Sequence, residues 1–136
     1  MEQANLDVSV GAGDIIHITI GGNVDAGSMS RLTEFTQKIQ DTVQDIFHKK
    51  NKRVLCLVDI SALTSYHPDV LVTLAQMMKA NEPFVLRTAT FGGGQYMIMA
   101  EDIVIALSGR KNLRAFNTKQ EAIVWLQNGD GEVEAD

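Results

Sequence analysis

Val54, Leu55, Cys56, Leu57 and Val58 form an unbroken apolar run that stops at Asp59. A strand with one wet face alternates apolar and polar residues, whereas an unbroken run belongs to a strand covered on both faces, inside a largely parallel sheet. This segment therefore asks for helical layers on both sides, and the rest of the chain supplies candidates. Upstream, Leu6, Val8 and Val10 alternate with polar residues, Gly11 to Asp14 offers a turn, and Ile16, Ile18 and Ile20 alternate with His17 and Thr19, which predicts a β-hairpin. After Gly21 and Gly22 the period changes: Met29, Leu32, Phe35, Ile39, Val43, Ile46 and Phe47 recur at three- and four-residue spacing, predicting a long helix through Lys50 with Ser28 as its cap.

Downstream the alternation of strand and helix continues. Ile60 to His67 reads as a loop, and Pro68 suits the first turn of a helix whose buried face carries Val70, Leu71, Leu74, Met77 and Met78. Phe84 to Phe91 reads as the next strand, broken by Gly92, Gly93 and Gly94. Tyr96, Met99, Ala100, Ile103, Val104 and Leu107 then mark a third helix, closed by Ser108 and Gly109. A short strand over Arg114–Phe116 leads to Thr118, whose spacing to Glu121 is that of a capping box opening a last helix with Ala122, Ile123, Trp125 and Leu126. Strands alternating with helices imply right-handed crossovers and an α/β fold. The expectation is a mixed, mostly parallel sheet of five strands with an amino-terminal hairpin at its edge, and four helices.

The chain of 136 residues has the length of one domain, placed here over residues 1–127, and its tail from Asn128 to Asp136 is acidic and reads as flexible. A net charge of −5 argues against nucleic-acid binding, which needs clustered cations. Met1 to Leu6 lacks the basic start and apolar run of a secretory signal, no apolar stretch approaches the length of a membrane span, and the expectation is a cytoplasmic protein. The single cysteine, Cys56, lies within the apolar run and reads as a buried thiol.

Three local patterns in this element order resemble the SpoIIAA-like fold, home of STAS domains (the anti-sigma-factor antagonists) and of a group allied with CRAL-TRIO lipid-transfer proteins. The first is an apolar strand ending in Asp with a small residue two positions on, here Val58, Asp59, Ile60 and Ser61. The second is a strand opening after Pro and running into glycine, here Pro83 through Gly92. The third is the closing segment Ala115 to Thr118 followed by Glu121, Ala122, Trp125 and Leu126, similar to the lipid-transfer-allied members. The resemblance spans Leu6 to Leu126. It implies a regulatory module with a protein partner. In the antagonists an Asp-Ser-Ser-Gly motif at the start of the following helix carries a phosphorylated serine; the matching stretch here is His67, Pro68, Asp69 and Val70, without the acceptor. Asp69 instead puts a carboxylate at a helix amino terminus, where one is favoured.

The leading candidate site is the stretch after the central strand: Asp59, Ser61, Thr64, Ser65, Tyr66, His67 and Asp69. In open α/β sheets ligands collect at the carboxyl ends of strands. Ser65, His67 and Asp69 hold the residue types of a hydrolase triad, but one loop is a poor source for three groups that separate elements usually supply. Gly92, Gly93 and Gly94, with Tyr96 and Met99, offer a pocket wall, although no phosphate-loop motif surrounds the glycines. Arg110 and Arg114, with Lys111, stand just beyond the third helix and suit its carbonyl end, or with Arg87 offer an anion or lipid-headgroup contact. His17, His48 and His67 show no paired ligand spacing, so no metal site and no cofactor is expected. Together these features predict a non-enzymatic interaction module acting through the Asp59–Asp69 stretch. The alternative is a binder of a small hydrophobic ligand or lipid, with its pocket under the helix Gln95 to Leu107. A homodimer through the hairpin edge or a helix face is a further expectation.

Overall fold

The computed structural model describes residues 4–92, 94, 109 and 112–129. β1 (Asn5–Val10) and β2 (Ile16–Val24) form the hairpin, paired antiparallel with Val8 opposite Ile18. α1 (Met29–Lys50) crosses to β3 (Val54–Asp59), which lies parallel to β2 with Cys56 beside Ile16. β4 (Leu63–Tyr66) follows, then α2 (Pro68–Asn81), β5 (Val85–Phe91), β6 (Leu113–Phe116) and α3 (Lys119–Asn128). Among the described residues the sheet has six strands, in the order β1-β2-β3-β5-β6 with β4 paired to β2, and every pairing except β1 with β2 is parallel.

β3 is covered on both faces, as its apolar run requires. On one face Ile16, Ile18 and Ile20 of β2 join Cys56 and Val58 against Leu32, Phe35, Ile39 and Val43 of α1 and Val70, Leu74 and Met78 of α2. On the other, Ile15, Leu57 and Ala89 pack against Ala122, Trp125 and Leu126 of α3. Leu57 and Cys56, adjacent in sequence, thus enter two different cores, which is the two-residue period of a strand expressed in packing. Cys56 is buried.

Three sequence expectations need correcting. Ile60 to His67 is not all loop: Leu63–Tyr66 extends beside the last residues of β2, which runs on through its glycines to Val24. The sheet therefore gains a sixth strand. Ser28 does not cap α1 with its side chain; its hydroxyl donates to Asp25 Oδ1 at 3.1 Å. The strand expected from Phe84 begins at Val85, because Glu82–Phe84 forms a 3-10 turn around Pro83. Three α-helices are present among the described residues, and the helix expected over Gln95 to Leu107 lies outside them, as does the tail from Asp130. The cap at Thr118 is present: its Oγ1 accepts from the Glu121 N–H at 3.2 Å and donates to the Glu121 carboxylate at 3.0 Å.

Candidate functional site

At the carboxyl end of β3 the chain makes a tight turn that is held from three sides. Asp59 Oδ1 accepts from the Ser61 backbone N–H at 2.8 Å and from the Ser61 hydroxyl at 2.6 Å, so the carboxylate closes the turn that follows it. The Ile60 N–H donates to the Phe91 carbonyl on one side and the Gly22 N–H donates to the Ala62 carbonyl on the other, tying the turn to β5 and β2. Two glycines make room for it. A β-carbon on Gly21 would lie 3.2 Å from that of Ala62, and one on Gly92, whose φ is +90°, would lie 2.6 Å from that of Ser61.

β4 then presents its polar side outward. Thr64 and Ser65 are exposed, while Leu63 and Tyr66 are half-buried. Ser65 Oγ donates to Asn23 Oδ1 at 2.6 Å, and the Asn23 amide donates to Asp25. Asn23 and Asp25 belong to the site and were missed from sequence, because the partners Asn23 and Ser65 lie 42 residues apart and only the β2–β4 pairing joins them.

His67 opens α2. Its N–H donates to the Val24 carbonyl, and its Nδ1 accepts from the Asp69 N–H at 3.1 Å, so the imidazole is the helix cap, with Pro68 at the first helical position. Nδ1 is also 3.6 Å from the Asp69 carboxylate. The proline and the cap together explain why a helix begins here. Ser65 turns to Asn23 and His67 to the helix backbone, so these residues do not assemble a nucleophile and base. Asp59, Ser61, Thr64, Ser65, Tyr66, His67 and Asp69 lie along one continuous strip at one end of the sheet.

The other candidates fall elsewhere. Gly92 stands against Ser61 at the edge of the strip, Gly94 has open space beside it, and Gly93, Tyr96 and Met99 lie outside the described residues. Arg87 is buried and its Nη1 donates to the Leu126 carbonyl at 2.7 Å, fastening β5 to the last turn of α3. Arg114 lies 5.4 Å from the Trp125 ring centre, a cation–π contact with the same helix. Arg110 lies outside the described residues. The apolar cavity between α2 and the sheet measures about 20 Å³, room for one water. The lipid pocket expected under Gln95 to Leu107 lies outside the described residues. Among the described residues no cluster of His, Cys, Asp and Glu could hold a metal ion, and no helix is long and apolar enough to cross a membrane.

No family model and no curated protein matches the sequence. Solved structures do match the fold. An uncharacterised DUF3478-family protein from Shewanella loihica PV-4, described as having a SpoIIAA-like fold, aligns at TM-score 0.61 and 13% identity over 93% of this chain and 95% of that one. The anti-sigma factor antagonist SpoIIAA in its unphosphorylated form aligns at TM-score 0.63 and 14% identity over 96% of this chain and all of that one. Identities this low speak for architecture alone: the chain adopts the SpoIIAA-like fold.

Proposed function

We propose that this chain is a non-enzymatic regulatory module that acts by binding a protein partner through the strip from Asp59 to Asp69 and the start of α2. The observation that carries this reading is the combination of exposure with rigidity. Ser61, Thr64, Ser65 and Asp69 are exposed, yet the backbone beneath them is fixed by hydrogen bonds to β2, β5 and the helix cap. A polar surface held in one conformation loses little entropy when a partner covers it. The likeness in fold to an anti-sigma factor antagonist supports the same reading.

The helix start carries Pro68 and Asp69 where a phosphorylated serine is expected in that class. The contact is therefore read as constitutive, with Asp69 supplying a fixed charge. The test is affinity capture from a native extract of the source cells by wild type, by Thr64→Arg in the strip and by Val124→Arg on α3, an exposed position remote from it. A protein retained by wild type and Val124→Arg but lost by Thr64→Arg is the expected result. Identical captures by all three contradict the proposal.

A further inference from the structure

The face of the sheet opposite α1 and α2 carries a second collection of polar groups. In the register of the strands, Ser9 of β1 stands opposite His17 of β2, His17 beside Leu57 of β3, Thr19 beside Asp59, and Asp59 beside Phe91 of β5. Side chains at these positions share one face, and α3 covers only part of it, over Leu57 and Ala89. What remains is an open hollow of about 350 Å³ lined by Ser9, His17, Thr19, Asp59 and Phe91, with Lys119 at its rim. That volume is within the range of small-ligand sites. His17, Thr19 and Asp59 are half-buried and give the uncovered part of this face a polar floor.

The hollow has two chemically distinct ends. Lys119 is the first residue of α3, beside the unpaired N–H groups of that helix, and it forms no ion pair among the described residues. His17 lies so close to Gly11 that a β-carbon there would be 2.5 Å from its Nε2. Burial, and then the Lys119 charge, hold the His17 pKa below its ordinary value, which keeps the imidazole neutral beside the lysine. At the other end Asp59 has Oδ1 engaged by Ser61, and Thr19 stands beside it in the strand register. One end suits an anion and the other suits hydroxyl donors.

We propose that this hollow binds a small polyol bearing one anionic group, the anion at Lys119 and the amino terminus of α3, the hydroxyls at Asp59, Thr19 and Ser9. Phosphate and carboxylate share this chemistry, and the probes below separate them. The hollow shares Asp59 with the partner strip, but Lys119 and His17 lie outside the strip, so variants at Lys119 test the hollow separately.

The experiment follows the His17 ring signals by NMR in the full chain during titration with inorganic phosphate, glycerol, glycerol 3-phosphate and glycerate. A bound anion offsets the Lys119 field, so the His17 pKa rises on binding. Glycerol 3-phosphate or glycerate is expected to give a saturable shift at least about tenfold tighter than phosphate or glycerol alone, the stronger of the two naming the anion. Lys119→Ala is expected to weaken it about tenfold or more, the usual effect of losing a charged hydrogen bond, while Lys119→Arg largely retains it. Thr19→Val is expected to bring the polyol down towards phosphate alone. The proposal is overturned if no probe gives a saturable shift, if phosphate binds as tightly as both polyols, or if Lys119→Ala titrates like wild type. Lys119 is exposed, so thermal unfolding of its variants is expected to match wild type.

Discussion

Gly92 and Ser61 are in backbone contact: a β-carbon on Gly92 would fall 2.6 Å from the Ser61 β-carbon and 2.9 Å from its α-carbon, and the φ of Gly92 is +90°. The missing side chain at Gly92, together with the Ile60 N–H to Phe91 carbonyl hydrogen bond, seats the turn after β3 on the end of β5. Gly92→Ala is therefore expected to destabilise the fold by at least about 2 kcal/mol, combining backbone strain with a steric clash against main chain. Urea unfolding measures it. A change below about 0.5 kcal/mol contradicts the contact.

The imidazole of His67 caps α2 by accepting from the Asp69 N–H. His67→Ala is expected to cost about 1 kcal/mol, and His67→Asn, which keeps an acceptor at the cap position, is expected to recover most of it. Equal losses in the two variants, measured by urea midpoint, would show that the cap contributes nothing.

Asn81 is 4% exposed at the end of α2, and its Oδ1 has no hydrogen-bond partner among the described residues. A buried carbonyl without a donor is costly, and a small cavity lies beside it. Asn81→Leu is expected to raise stability by about 1 kcal/mol. A lower melting temperature for that variant contradicts this account of Asn81.

His17 has its pKa held below 6.5 in the folded protein, first by burial and then by Lys119. Between that depressed value and 6.5 the unfolded chain binds more protons than the folded one, so stability falls as pH drops through this window. His17→Gln is expected to flatten the pH dependence of the unfolding free energy there. An unchanged slope would remove His17 as its source.

Much of the fold could be read from local pattern. The apolar run Val54–Val58 declared a strand with two covered faces, and Leu57 and Cys56 do enter separate cores. The periods of α1 and the Thr118 cap were equally plain, because they depend on residues within a turn or two of one another. What stayed hidden depends on pairing across the chain. β4 is four residues long with a polar outer side, so its sequence looks like a loop until β2 lies beside it. Ser28 looked like a cap because serine is common there, but Asp25 takes its hydroxyl. At the site, the strip from Asp59 to Asp69 was visible as a cluster along the sequence. Asn23, Asp25 and the hollow around His17 were not, since strand register alone brings their members together.

The strip from Asp59 to Asp69 is the proposed partner-binding surface, and its most direct measurement is an affinity titration with the captured partner once purified. Thr64→Arg places a bulky cation on the exposed side of β4 without disturbing a buried group, so its Kd is expected to rise tenfold or more, roughly 1.4 kcal/mol. Val124→Arg on α3 is expected to bind like wild type. Equal affinities for all three proteins would contradict the account.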